Sequence, residues 1–174
     1  MIGIFDVDYR ENSSAVLGGV IVKDLTDTKP LHEFVMGISH VADYEPGSFY
    51  ERELPCLLQG LEYIQKNFDR VSINLVIIDG YVWLDANRKP GLGAKLFEAL
   101  DEKAPVIGIA KSAFKDFDHA EKVYRGISKR PIYVTTAGMD TKEAANLVQS
   151  MSGKSRLPDM VKRADRLCRE GLQT

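Results

Sequence analysis

Three acidic residues stand where elements of this chain end or begin. Asp6 lies in the apolar run Ile2-Gly3-Ile4-Phe5-Asp6-Val7-Asp8-Tyr9, Glu53 opens an amphipathic segment, and Asp79 ends Leu75-Val76-Ile77-Ile78-Asp79-Gly80. A carboxylate at the end of an apolar strand is costly to desolvate unless something pairs with it. Three that converge repel one another and call for a cation. Clustered oxygen ligands suit magnesium or manganese, and two such ions can drive phosphodiester hydrolysis. The bland alternative is three partly buried carboxylates, each with its own partner. Lys111 ends another apolar run, Pro105 to Ala110, and is either a point charge for phosphate or an ordinary surface lysine. Asp8 shares a strand face with Asp6 but is expected at the exposed strand end. His32, His40 and His119 lack ligand spacing and read as structural or surface residues.

The elements that must carry these residues follow from periodicity. Ile2–Tyr9, Ala15–Val22 and Leu31–Ile38 read as a three-strand meander, with Gly18-Gly19 marking a bulge or a close backbone approach. Leu54, Leu57, Leu58, Leu61 and Ile64 recur at helical spacing, and Pro55 places the helix start near Glu51 to Leu54. Glu53 then sits at the inner, N-terminal edge of the buried face. Ile73–Ile78 and Pro105–Ala110 are continuous apolar runs, as in strands covered on both faces. A helix from about Gly91 to Glu102 separates them. Residues 113–129 are expected to form a loop or short helix, Arg130–Val134 a short strand, and Asp140–Met151 and Leu157–Gly171 two closing helices. This order matches a ribonuclease-H-like α/β fold: a mixed sheet of an antiparallel meander plus parallel strands, with helices on both faces.

The 174 residues fit one domain, 1–174, with a sizeable core. The net charge of -2 gives no global signal for nucleic acid, but charge is uneven. Residues 111–130 and 154–170 each carry six basic against three acidic residues, which reads as solvated surface or as a phosphate-facing side. Cys56 and Cys168 have no pairing pattern; Cys56 falls beside the apolar stripe and reads as packing. Met1 leads straight into a strand and no apolar run could span a bilayer, so a soluble, cytoplasmic protein is expected. Gly91-Leu92-Gly93-Ala94-Lys95 lacks phosphate-loop spacing.

Several strings resemble the endonuclease V family, in order and over nearly the whole chain. Asp6-Val7-Asp8-Tyr9 is similar to its opening strand, and Tyr44-Glu45-Pro46-Gly47 running into Arg52-Glu53 to its YxPG and RE segments. Asp79-Gly80, Arg88 to Leu92, Pro105 to Lys111, Arg156 to Asp159 and Ala164-Asp165 resemble its later motifs. The resemblance implies cleavage of nucleic acid, DNA or RNA, near deaminated bases, chiefly inosine, with magnesium or manganese, by a monomer. It implies metal-binding carboxylates at Asp6, Glu53 and Asp79, with Asp165 near the metal and Lys111 at the scissile phosphate. It further implies a base-flipping wedge of Tyr44 with Pro46, and a base pocket lined by Gly47, Phe49, Asp79 and Gly80. The stretch Tyr81 to Arg88 departs from the family pattern: it lacks a His-Pro pair and carries bulky Val82 and Trp83. Gly138-Met139 stands where members have Gly-His. Two alternatives follow: a nuclease of the same fold with another substrate preference, or a non-cleaving nucleic-acid-binding module.

Overall fold

The structure is a computed structural model that describes residues 1–11, 13–42, 49–114 and 119–171, with only the backbone of Phe49. Seven strands form one sheet in the order β3-β2-β1-β4-β5-β7-β6. Strands β1 (Ile2–Arg10), β2 (Ser14–Val22) and β3 (His32–Ile38) are the antiparallel meander. Strands β4 (Leu75–Asp79) and β5 (Val106–Ala110) run parallel to β1. The far side turns back, because β7 (Ile132–Ala137) pairs antiparallel with β5, and β6 (Glu121–Val123) antiparallel with β7.

Side-chain alternation sorts the core into two layers. Phe5, Leu17, Val76, Ile78 and Val106 face helices α1 (Phe49–Asn67) and α2 (Leu92–Ala99). Ile4, Val20, Ile77, Ile107, Ile109 and Val134 face α3 (Thr141–Ser150) and α4 (Asp159–Glu170). The ribonuclease-H-like arrangement with helices on both faces is therefore present.

Some boundaries differ from the sequence expectation. Strand β6 lies in the stretch expected to be loop or helix; its three residues carry too little pattern, and it forms because β7 offers an edge. Strand β7 extends to Ala137 because its threonines are satisfied inside: Thr135 Oγ1 accepts from Val82 N, and Thr136 Oγ1 donates to the Val106 carbonyl. Helix α1 begins at Phe49, so Pro55 falls in its second turn, where the Glu51 carbonyl loses its usual amide partner. The Asp140 carboxylate caps α3 through Lys142 N and Glu143 N, an N-cap that the sequence range placed inside the helix.

Gly18-Gly19 is a close approach and not a bulge, since β1–β2 pairing is continuous from Ile2↔Val22 to Arg10↔Ser14. A Cβ at Gly18 would lie 2.3 Å from the Ala164 carbonyl of α4. Among the described residues no helix is long and apolar enough to cross a membrane.

Candidate active site

The register sets the site. In the parallel pair β1–β4, Phe5 faces Ile78, so Asp6 and Asp79 follow side by side. Asp79 in turn pairs with Ile109 of β5, and Lys111 lies two residues further on. Asp6 has the parity of Ile4, Asp79 that of Ile77, and Lys111 that of Ile107 and Ile109. All three side chains thus share the α4 face at one end of the sheet, where α4 carries Asp165. Helix α1 brings Glu53 from the other layer, buried at 5% exposure.

Lys111 Nζ donates to Asp79 Oδ2 at 2.6 Å and lies 3.7 Å from Asp165 Oδ1. Burial pulls the Lys111 ammonium down, but the hydrogen bond to Asp79 and the charges of Asp79, Asp6 and Asp165 outweigh it and hold the group above its ordinary range. Asp6 Oδ1 accepts from the Val7 amide at 2.8 Å. Burial first, then the negative charges of Asp79 and Asp165, push Asp6 up to about 7 against the pull of Lys111 and that amide. Glu53 rises to about 8, again through burial first, then through Asp6 and Asp79. Asp165 also bonds Arg169 at 2.8 Å, one turn along α4.

This donor set fits a divalent cation. The acids are hard oxygen donors, and Asp6 and Glu53 are buried carboxyls whose charged forms, disfavoured by burial and mutual repulsion, a cation would favour. Among the described residues, no three His, Cys, Asp or Glu side chains already stand in closed ligand geometry, and the Lys111 ammonium is the cation that Asp79 and Asp165 share.

The substrate-facing expectations are only partly described. Tyr44, Pro46 and Gly47 lie outside the described residues, as does the Phe49 side chain. Gly80 is described: its φ of 126° suits glycine, and a Cβ there would meet nothing within 4 Å, so open space lies beside Asp79. Tyr81 straps the segment after β4 to the one after β5, donating to the Ser112 carbonyl and accepting from Phe114 N. Val82 does not face this opening; it is buried against Gly93 of α2. Trp83 Nε1 donates to the Thr136 carbonyl, and a cavity of about 380 Å³ runs past Trp83, Arg88, Phe97, His119 and Met139, to the side of the carboxylates.

The structure adds residues that spacing did not point to. The buried Tyr9 side chain lies beside Glu53 and favours its charged form, and the Arg52 guanidinium lies 3.8 Å over the Tyr9 ring. Arg156 Nη2 donates to the carbonyls of Lys111 and Pro131, fixing the backbone that carries the lysine. Only the strings that resemble the family had drawn attention to Tyr9 and Arg156. Asp8 is tied to Arg10 at 3.1 Å, His32 stacks on Phe68, and Cys56 is fully buried, as their structural readings require.

Comparison with known proteins finds relatives over nearly the whole chain. The chain is 27% identical over 187 residues to endonuclease V of Nocardia farcinica, covering 97% of this chain and 79% of that protein. It is 28% identical over 192 residues to the Streptomyces coelicolor endonuclease V, covering 97% and 77%. In fold it matches Ciona intestinalis endonuclease V in complex with a 24mer DNA containing an inosine followed by a ribo-adenosine, at a TM-score of 0.83 and 18% identity over 99% of this chain and 85% of that one. The catalytic domain of human endonuclease V matches at a TM-score of 0.82 and 21% identity, over 99% and 82%. The sequence model that describes endonuclease V spans residues 1–128 of this chain, and over that stretch lie Asp6, Glu53, Asp79 and Lys111. The chain belongs to the endonuclease V family and is a nuclease, a hydrolase of ester bonds.

Proposed function

We propose that this protein is a magnesium- or manganese-dependent endonuclease that hydrolyses a phosphodiester bond near deaminated bases, inosine first, in DNA or RNA. The observation that carries the reading is the gathering of Asp6, Asp79, Lys111 and Asp165 at one sheet end with buried Glu53 behind them. The inosine-containing DNA bound to the Ciona relative supports the substrate.

Asp6, Glu53 and Asp79 would hold the metal, with Asp165 beside it. A divalent ion bound there supplies charge for the phosphate oxygens and acidifies water for in-line attack. Lys111 leaves its carboxylate partners to place a point charge on the scissile phosphate. Tyr9 holds Glu53 in its buried position, and Arg156 holds Lys111 at the sheet end. Tyr44 and Pro46 fill the gap left by the extruded base, which Gly47, Phe49 and the open side of Gly80 receive. The 174 residues act as one domain and as a cytoplasmic monomer.

Matched oligonucleotides with and without inosine test the substrate. The inosine strand is cut and the unmodified one spared; equal rates would remove the base-specific reading. Asp79→Asn abolishes cleavage and leaves binding, whereas a wild type that binds but cuts nothing with manganese leaves the non-cleaving module standing. A second nuclease reading keeps the chemistry and changes the substrate. It is favoured by the loop from Val82 to Gly91, closed by Leu84 N to the Lys89 carbonyl at 2.8 Å and edged by the Trp83 cavity.

A further inference from the structure

The two basic stretches of the sequence fare differently in the fold. On α4, Arg163 forms a two-pronged pair with Glu33, Lys162 pairs with Asp159 and Arg169 with Asp165. These three cations are engaged within the protein, whereas Lys154 and Arg166 of the same stretch are exposed and make no ion pair among the described residues. The β6–β7 connection, residues 124–131, is built otherwise. Arg125 does not face solvent at all: it is 2% exposed and donates to the carbonyls of Val148, Gln149, Met151, Ser152 and Gly153, closing the C-terminal end of α3. Gly126, at a φ of 59°, lies so close to the Lys154 carbonyl that a side chain has no room. The loop is thereby pinned at its base. The connection exposes Tyr124 at 53% beside its base and Ile127 fully beyond it, a large apolar area for a short segment. Lys129 and Arg130 are exposed beside them, and neither side chain is ion-paired among the described residues.

The position of the loop gives this composition meaning. Ala110 pairs with Tyr133, so the end of β5 that delivers Lys111 adjoins the start of β7. Arg156 holds the Lys111 and Pro131 carbonyls with one guanidinium. The pinned loop therefore leaves the sheet at the same end as the candidate catalytic lysine.

We propose that residues 124–130 form a second nucleic-acid contact, separate from the base pocket. Lys129 and Arg130 bind backbone phosphates of the arm flanking the cut, while Tyr124 and Ile127 lie against sugar and base edges of the same arm. The occupant is a nucleic acid because a loop held at its base, with cations free of ion pairs among the described residues and exposed apolar side chains, adjoins the sheet end that carries the candidate catalytic lysine. A protein partner would have no reason to select that end. The inference rests on the nucleic-acid-cleaving reading above.

The test measures binding of labelled inosine-containing duplexes of graded flank length by fluorescence anisotropy, with calcium replacing the catalytic metal, across a salt series. Lys129→Ala/Arg130→Ala weakens binding to long duplexes about tenfold at 0.1 M salt and lowers the slope of log K against log salt by about two, one per phosphate contact. Tyr124→Ala/Ile127→Ala weakens binding with the slope unchanged. Both losses vanish on duplexes too short to reach the loop. Lys103→Ala, at the opposite end of the sheet, is the charge control. Variants that bind long duplexes like wild type, with unchanged slope and an unchanged melting temperature, overturn the loop contact while leaving the nuclease reading intact. A wild type that binds none of the duplexes overturns that reading instead.

Discussion

Lys111 and Asp79 are joined by a 2.6 Å hydrogen-bonded ion pair across the ends of adjacent parallel strands. In the absence of substrate the lysine serves as counter-ion for a carboxylate group that also includes Asp6 and Asp165. Removing the charge therefore has two consequences. Lys111→Met lowers single-turnover cleavage by about 10²-fold or more, the scale of losing one electrostatic stabiliser of a transition state. It also lowers the melting temperature of the metal-free protein near pH 8, because the acids lose their cation. Lys111→Arg keeps the charge in a different shape, restores the melting temperature and recovers only part of the rate. Full activity in Lys111→Met would exclude the lysine from the chemistry.

The raised carboxyls fix a pH dependence. Asp6 and Glu53 move from ordinary values near 4 to about 7 and about 8. Between those limits the folded protein binds more protons than the unfolded chain, so stability must fall as pH rises. The metal-free protein is thus expected to melt at progressively lower temperature from about pH 5 to about pH 8. Manganese binding needs ionised carboxylates and releases their protons. The rise in melting temperature on adding manganese grows over the same interval. Calorimetric melts with chelator or with manganese check both slopes; a manganese effect independent of pH refutes the assignment of these acids.

Tyr9 lies beside Glu53, the buried member of the carboxylate group. Its hydroxyl stabilises the charged form of a side chain that burial disfavours. Tyr9→Phe keeps the ring under the Arg52 guanidinium and removes only the hydroxyl. Metal affinity, read by titration calorimetry, is expected to fall about 10-fold or more, as for other outer partners of ligands. Turnover at saturating metal changes less than affinity does.

The features that could be read from the sequence were those encoded locally. The apolar runs of β1, β2, β4 and β5 and the apolar stripe of α1 mark the meander, the covered strands and the inward position of Glu53. What periodicity cannot carry is register. Nothing in the spacing of Asp6 and Asp79 says that Phe5 pairs with Ile78, and nothing near Lys111 says that its nitrogen reaches Asp79. Resemblance to a family supplied that link. The β6 edge strand escaped because three residues show no period, and the direction of β7 because strand sequence is nearly blind to parallel and antiparallel pairing. Arg125 shows the limit most clearly: counted among surface cations, it is a buried cap for a helix distant in sequence.

Gly18 explains how α4 comes to the site at all. In the β1–β2 register it sits directly across from Asp6, on the same face. With no side chain there, α4 settles onto the sheet and carries Asp165 toward Lys111. A Cβ at this position would stand 2.3 Å from the Ala164 carbonyl and 2.8 Å from the Cys168 amide, both backbone atoms of a packed helix that cannot swing aside. Gly18→Ala must lift α4, at a cost of about 1–3 kcal/mol for an overpacked core, or about 3–10 °C of melting temperature at this chain size. Gly19→Ala is the matched comparison. Its Cβ would meet the ring of Phe34 in the opposite layer, 2.3 Å from Cε1, so it strains the α1 side and leaves α4 alone. Both variants lose stability, but only Gly18→Ala loses cleavage at saturating manganese under conditions where each remains folded. Equal activity in the two variants would mean that the seating of α4, and with it Asp165, has no part in the reaction.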